Sequence, residues 1–477
     1  MVFRICRIFD KRLLQIPFYF IIVSVCAVAL AMQDVPDSQL TESMPLPEVV
    51  LSQDDRVLVL APHPDDEVLG CGGIIQKATA MKLPLRVVFF TYGDSNQWSF
   101  LVYRKRFVVM PKAVKAMGLV RHDEALAADR TLGVSKEKLI FLGYPDFSTL
   151  SIWQAHWGNS PPATSMLTHA NAVPYANAFR PGAAYKGDEI LKDLKTILRE
   201  FKPTKIFISH PIDHHPDHRA LYLFTRIALW DVEKEMQPDL YPYLVHYKHW
   251  PKPGGYRPDK PLNPPVLFEK KAKWQTSYLK PEEINYKHDA IKKHRSQFES
   301  SAVFLLPFIR RNELFGDFPV VKLKSDTSSV PLSPQRKDDV KELPDYLNEE
   351  ERAAFVGIED RFVLLEDGQL VFYIRLSRPI EERAEVSLSV FGYRDDKAFA
   401  NMPKLDIKFS SFQHKILDQD RRLPMDAVMV ERKPKEIVIR IPLALLKNPQ
   451  RILTSAQSYM DSVPLDWVSW RIIELSD

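Results

Sequence analysis

Cysteine is nearly absent from this 477-residue sequence: there are three, and Cys6 and Cys26 fall within or beside the first apolar stretch. Cys71 alone cannot form an internal disulfide, so the body must stand on its core, which a chain of this length can supply. Glycine is scarce, 16 residues against 37 prolines. That argues against Gly-rich phosphate cradles and for long, stiffened connections. Neither sign of charge is in excess. The formal net charge is +4, and Arg4, Arg7, Lys11 and Arg12 against Asp10 make +3 of it. The remaining body is near neutral and lacks the basic face of a nucleic-acid binder. With 45% hydrophobic and 26% charged residues, wholesale disorder, collagen-like repeats and polytopic membrane classes are excluded, and the length suggests two or three domains.

What is present begins with an apolar run at 16–32, preceded by those basic residues and ending near Ala29-Leu30-Ala31, a cleavage-like AxA. This reads as a secretory signal over 1–31, with a mature chain from about Met32. A short uncleaved membrane anchor is the alternative, since some 17 apolar residues is the lower limit for a span. Either places the rest of the chain outside the cytoplasm: secreted, periplasmic or anchored facing outward.

From residue 56, apolar runs alternate with amphipathic stretches. Strands are expected at 56–60, 85–91, 138–142, 205–209 and 242–247, with helices at 67–81, 122–133, 187–201, 217–232 and 282–298. The strands are apolar on both faces, which predicts an α/β fold with a Rossmann-like, doubly wound, mostly parallel sheet. Two long connections, 92–121 and 144–185, leave the carboxyl ends of strands. The second carries Trp153, His156, Trp157, His169 and Tyr175 and reads either as a substrate-binding lid or as aromatics packing a long loop onto the body. Residues 323–346 are Ser-, Pro- and charge-rich without periodicity and read as a linker. Short alternating runs then flank Asp367-Gly368, a hairpin signal, and 347–477 is expected to form a β-sandwich domain.

Two clusters carry chemistry. The first strand runs into Pro62-His63-Pro64-Asp65-Asp66-Glu67, and three carboxylates at the end of a buried strand are costly unless they are paired or bind a cation. The fourth strand ends in His210-Pro211-Ile212-Asp213-His214-His215-Pro216-Asp217-His218, four of the chain's 13 histidines. First and fourth strands neighbour one another at the switch point of a doubly wound sheet, so both clusters should meet in one crevice. Two imidazoles and one carboxylate with an open position make a catalytic zinc arrangement.

These residues resemble the LmbE-like (PIG-L) zinc-dependent de-N-acetylase superfamily. The match rests on Ala61-Pro62-His63-Pro64-Asp65-Asp66-Glu67 and Asp213-x-His215-x-Asp217-His218, with Arg121-x-x-Glu124-Ala125, Leu132-Gly133, Lys287 and Ser296-Gln297 in support, over about 56–298. The resemblance implies a deacetylase domain over 50–322 that binds one zinc ion through His63, Asp66 and His218. Asp65 would be the general base, His215 an oxyanion stabiliser or acid, and Asp217 the group orienting it. Glu67 would fix His63 from outside the ligand set, with Asp213 in a similar supporting position, and His210 and His214 would each be an alternative ligand or a supporting or structural group. Arg121 and Glu124 would contact sugar hydroxyls or form an ordinary ion pair. The implied reaction removes N-acetyl groups from N-acetylglucosamine-type sugars, here in an extracytoplasmic glycan, glycolipid or polysaccharide. Two other readings remain: a carbohydrate-binding protein with a vestigial metal site, its affinity supplied by Trp467 and Trp470, and a metal hydrolase of another amide or ester.

Overall fold

Val57–Ala61 (β1), buried at every position, is the pivot around which the rest is wound. The computed structural model describes residues 46–96, 110–325, 329–332, 347–380, 383–461 and 463–476. The expected signal or anchor, and most of the expected linker, lie outside the described residues. Among those described, no helix is long and apolar enough to cross a membrane.

β1 pairs in parallel with Leu85–Thr91 (β2) on one side and Lys205–Ser209 (β4) on the other. With Leu139–Tyr144 (β3), Asp239–Tyr243 (β5), Lys273–Tyr278 (β6) and Asn312–Asp317 (β7), the sheet order is β3-β2-β1-β4-β5-β7-β6. The first five strands are parallel, and the edge hairpin β6-β7 is antiparallel. The chain leaves β1 toward β2 and β3 and later crosses to β4, so the crevice opens above the ends of β1 and β4.

Helices cover both faces: Asp66–Ala80 (α1), Pro111–Thr131 (α2), Thr149–Ala155 (α3), Gly187–Phe201 (α4), Pro216–Asp231 (α5), Pro281–Ile291 (α6) and Arg295–Leu305 (α7). The run Gly70-Cys71-Gly72-Gly73 lets α1 lie against its neighbours: a Cβ at Gly70 would collide with the Tyr243 ring. The expected helix at 282–298 is two helices, broken at His294. The expected strand at 242–247 stops at Tyr243, and its remainder is a loop over the crevice.

The C-terminal part is sheet-rich. Ile358–Glu366 (β10) and Gln369–Leu376 (β11) form a hairpin through Asp367 and Gly368, both at positive φ, as a primed turn requires. Their five-stranded sheet faces a seven-stranded one centred on Ala384–Tyr393, Arg451–Met460 and Val463–Leu475. Phe372, Ile374 and Ile439 from the first sheet share one apolar core with Val386, Val390 and Ile407 from the second. The sheets begin before the expected sandwich boundary: Val321–Leu323 (β8) already pairs with Val463–Leu475, and Val330–Pro331 (β9) with β10.

The two tryptophans of 144–185 do not hang over the crevice, so the lid reading is corrected for them, while Phe147 of the same stretch packs on His215 with ring centroids 4.4 Å apart. Trp153 and Trp157 are fully buried at the seam between the two sheet systems, with Trp153 5.5 Å from Phe391 and 5.9 Å from Trp470. Trp470 is therefore core, and Trp467 lies under the Arg219 guanidinium at 4.2 Å, which removes the aromatic pair expected to bind sugar. The physical reason is area: indoles that large are worth most where they join two apolar faces.

Candidate metal centre

The α1 helix starts immediately after the β1 turn, with Asp66 and Glu67 in its first turn where the helix dipole favours negative charge. It is seated from below by a buried Lys287–Glu313 pair at 2.7 Å. Lys287 Nζ donates to Leu69 O while Gly73 N donates to Glu313 Oε1, so this pair replaces one rung of the helix. Opposite, α5 begins with Pro216 at its first position and His215 as N-cap, whose Nδ1 accepts from Asp217 N at 3.3 Å.

Residues about 150 positions apart meet there. Asp66 Oδ2 lies 3.1 Å from His63 Nδ1 and 3.0 Å from His218 Nε2. His63 Nε2 faces two further carboxylates, Asp146 Oδ1 and Asp217 Oδ2, each at 3.2 Å. Asp213 ties the second cluster together: Oδ1 accepts from His215 N, and Oδ2 accepts from Val245 N and His246 N and lies 3.0 Å from His218 Nδ1. Two groups of donors result, sharing His63: His63, Asp66, His218 and His246, and His63, Asp146, His215 and Asp217, with donor atoms in each group within 4.8 Å of one another.

Fit to a divalent ion can be tested on this geometry. Both ring nitrogens of His218 are buried without a hydrogen bond, although a carboxylate oxygen stands 3.0 Å from each. An imidazole nitrogen aimed past a carboxylate in this way is arranged for a shared cation, and the carboxylate on its far side orients the ring as in metal–histidine–carboxylate relays. The donor set of imidazoles and one carboxylate suits zinc-like ions.

The electrostatics agree with a site short of positive charge. Burial pushes Asp65 up to about 7, against the pull of Arg121 and with the repulsion of Asp66 added. Burial would depress His63, but Asp146 and its neighbours outweigh it and raise it well above the ordinary range. His215 is held well below it by burial and by the surrounding imidazoles, and His246 falls to about 4 chiefly through burial. Asp65 itself sits at φ 119°, a strained backbone for a non-glycine residue.

Several expected roles change on contact with the structure. Glu67 does not hold His63: its carboxylate accepts Asp65 N at 2.8 Å and meets His294 Nε2 at 3.0 Å. Asp217 does not orient His215 with its carboxylate, which is 3.9 Å from His215 Nδ1. That carboxylate accepts Phe147 N at 2.6 Å and the Thr149 hydroxyl, and turns toward His63. Arg121 and Glu124 are not at a sugar surface. Arg121 donates to Gly93 O, to Pro64 O and, at 3.3 Å, to Asp65 Oδ2, and so props the Asp65 turn, while Glu124 accepts from Ser296 N and Oγ. His210 is a buried structural ring, its Nδ1 accepting Ile212 N. His214 packs beside Trp467 at 5.6 Å.

Asp146, His246 and His294 escaped the sequence reading. Asp146 follows β3 and His246 follows β5, so the rule that ligands gather at the carboxyl ends of strands could have found both. Asp146 sat in a stretch read as a lid, His246 in one read as strand, and His294 in one read as unbroken helix.

Residues 58–229 match the PIG-L family, described as GlcNAc-PI de-N-acetylase. A glucosamine-6-phosphate deaminase-like protein of Bacteroides thetaiotaomicron is 23% identical over 309 residues, 56% of this chain and 39% of that protein. A 1D-myo-inositol 2-acetamido-2-deoxy-alpha-D-glucopyranoside deacetylase of Saccharopolyspora erythraea is 29% identical over 185 residues, 38% of this chain and 55% of that one. The chain thus spans between about two fifths and just over half the length of these relatives. Among solved structures, an N,N'-diacetylchitobiose deacetylase from Pyrococcus horikoshii aligns over 52% of this chain and 72% of its own at 21% identity and a TM-score of 0.31, a likeness too slight to argue from. Both motif loops, at His63-Asp66 and His215-His218, fall inside the residues 58–229 that match the PIG-L family.

Proposed function

We propose that this protein is a metal-dependent N-deacetylase that removes the acetyl group from N-acetylglucosamine-type sugars, with zinc as its ion. The observation that carries this is the meeting of His63, Asp66 and His218 from two loops of one PIG-L domain, with Asp66 Oδ2 3.0 Å from the far imidazole. His63, Asp66 and His218 would hold the ion. When bound, it supplies Lewis acidity, polarising the amide carbonyl and lowering the pKa of water.

The protein's own groups do the rest. Asp65 accepts a proton from the attacking water as the C–O bond forms, and returns it to the amine nitrogen as the C–N bond breaks, leaving acetate and a free amine. Arg121 and the Glu67-bonded backbone hold Asp65 in place for this. Because His215 Nδ1 accepts the Asp217 amide, its proton is on Nε2, and a neutral His215 can donate that N–H to the developing oxyanion. Removing such a donor commonly costs about 2.7–4 kcal/mol of barrier.

The N-terminal basic and apolar sequence supports an extracytoplasmic substrate, a glycan or glycolipid of the cell envelope, with membrane association if the apolar segment is retained. The reading is tested by acetate release from chitooligosaccharides and envelope glycans by the whole chain, stripped of metal and reloaded with Zn²⁺. Release that needs metal is expected. A zinc-loaded protein that frees no acetate across such a panel overturns the substrate class.

A further inference from the structure

We propose that His246 is a fourth protein ligand of the ion held by His63, Asp66 and His218, delivered by the loop after β5. The inference rests on the metal-site reading above and adds a residue outside both sequence clusters. A ring nitrogen of His246 lies within 4.8 Å of the donor atoms of His63, Asp66 and His218. Its ring meets that of His218 edge-on, with centroids 4.7 Å apart. On its other side it stacks on Phe304 at 5.1 Å with 10° between the planes, which limits how far the imidazole can turn.

The backbone places it independently of the ring. His246 N donates to Asp213 Oδ2 at 2.9 Å, and His246 O accepts from His214 N at 2.7 Å. The same Asp213 oxygen is 3.0 Å from His218 Nδ1. One carboxylate therefore sets the ring of one ligand and the main chain of the other, and the two imidazoles are held in register. Three protein donors leave a position for water or substrate; a fourth tightens the hold on the ion, and water or substrate then takes a fifth position, which zinc can open.

The test uses the whole chain, stripped of metal and titrated with Co²⁺ and with Zn²⁺ against a chromogenic chelator, as wild type, His246→Ala and His246→Gln. The side chain is half-buried and its loop is anchored through main-chain atoms, so both variants should melt near the wild type without metal. Expected are a zinc affinity about tenfold or more weaker in both variants, and a visible cobalt spectrum changed from that of the wild type. Wild-type-like affinity and spectrum in both variants overturn this inference and leave the deacetylase reading intact. A wild-type chain that binds neither ion overturns both.

Discussion

The crevice above β1 and β4 and the seam between the α/β body and the sandwich are both largely buried, yet they are made of opposite materials. The crevice gathers Asp65, Asp66, Asp146, Asp213 and Asp217 with four imidazoles, and almost every contact is a charge or a hydrogen bond. The seam gathers Trp153, Trp157, Phe224, Phe391, Phe399 and Trp470, with one buried amine, Lys404, between two ring faces. Buried charge is costly and is kept where an ion and a reaction need it; buried aromatic area is favourable and is kept where two domains must be joined. The two regions touch. Ser469 Oγ donates to Pro211 O, and Trp467 packs on His214 and Arg219, so the sandwich stands directly behind the loop that carries His215 and His218.

If the division is right, substitutions on the two sides should separate chemistry from stability. The largest effect is expected from Asp65→Asn, which keeps shape and removes the proton acceptor: turnover measured by acetate release should fall about 10²–10⁴-fold, with melting temperature unchanged or raised, since the cost of burying that carboxylate is gone. A large loss of stability would break the comparison from the crevice side. Next, Trp470→Ala opens a cavity in the seam and should cost about 3–5 kcal/mol in chemical denaturation. Acetate release per folded molecule should also fall, because the loop behind Pro211 loses its footing. A normal rate in that variant would show that the sandwich is joined to the body without supporting the site.

Metal removal acts on the crevice alone. Adding Zn²⁺ to stripped protein at a hundred times its dissociation constant should stabilise it by about 2.7 kcal/mol, read as a rise in melting temperature that Asp66→Asn abolishes. The smallest effect sharpens the seam side. Burial brings Lys404 down to about 7, against the pull of Asp418. Between that value and the ordinary lysine range the unfolded chain holds a proton that the folded chain does not, so this residue's contribution to stability rises with pH from about 7 to 10, and below 7 the full cost of the buried charge is present. Lys404→Met should therefore be more stable relative to wild type at pH 6 than at pH 9.5 by calorimetry. An equal difference at both values would mean the amine is not titrating in the fold.

Much of the body was legible. The strands from β1 to β4 were expected to within about two residues because a parallel sheet buries both faces and writes them as unbroken apolar runs. Asp367-Gly368 announced its hairpin because few other pairs tolerate two positive φ values. The chain between Thr149 and Tyr185 was not legible, since an indole that covers a crevice and one that fills a seam look alike until the surface opposite is known. Glu67 was assigned to the wrong histidine for the same reason: His294 lies 227 positions away and approaches only when α6 and α7 fold back over α1.

Composition and local pattern by themselves determined the class of the sheet, the two loops that carry His63, Asp66, His215 and His218, and their arrival at a shared edge, because strand order follows from short-range rules of burial and crossover. Only the tertiary structure decided which carboxylate serves which imidazole, that Asp146 and His246 join the cluster, and that the sandwich backs the His-rich loop. Those pairings are made by side chains from distant parts of the chain, whose angles and distances no spacing in the sequence encodes.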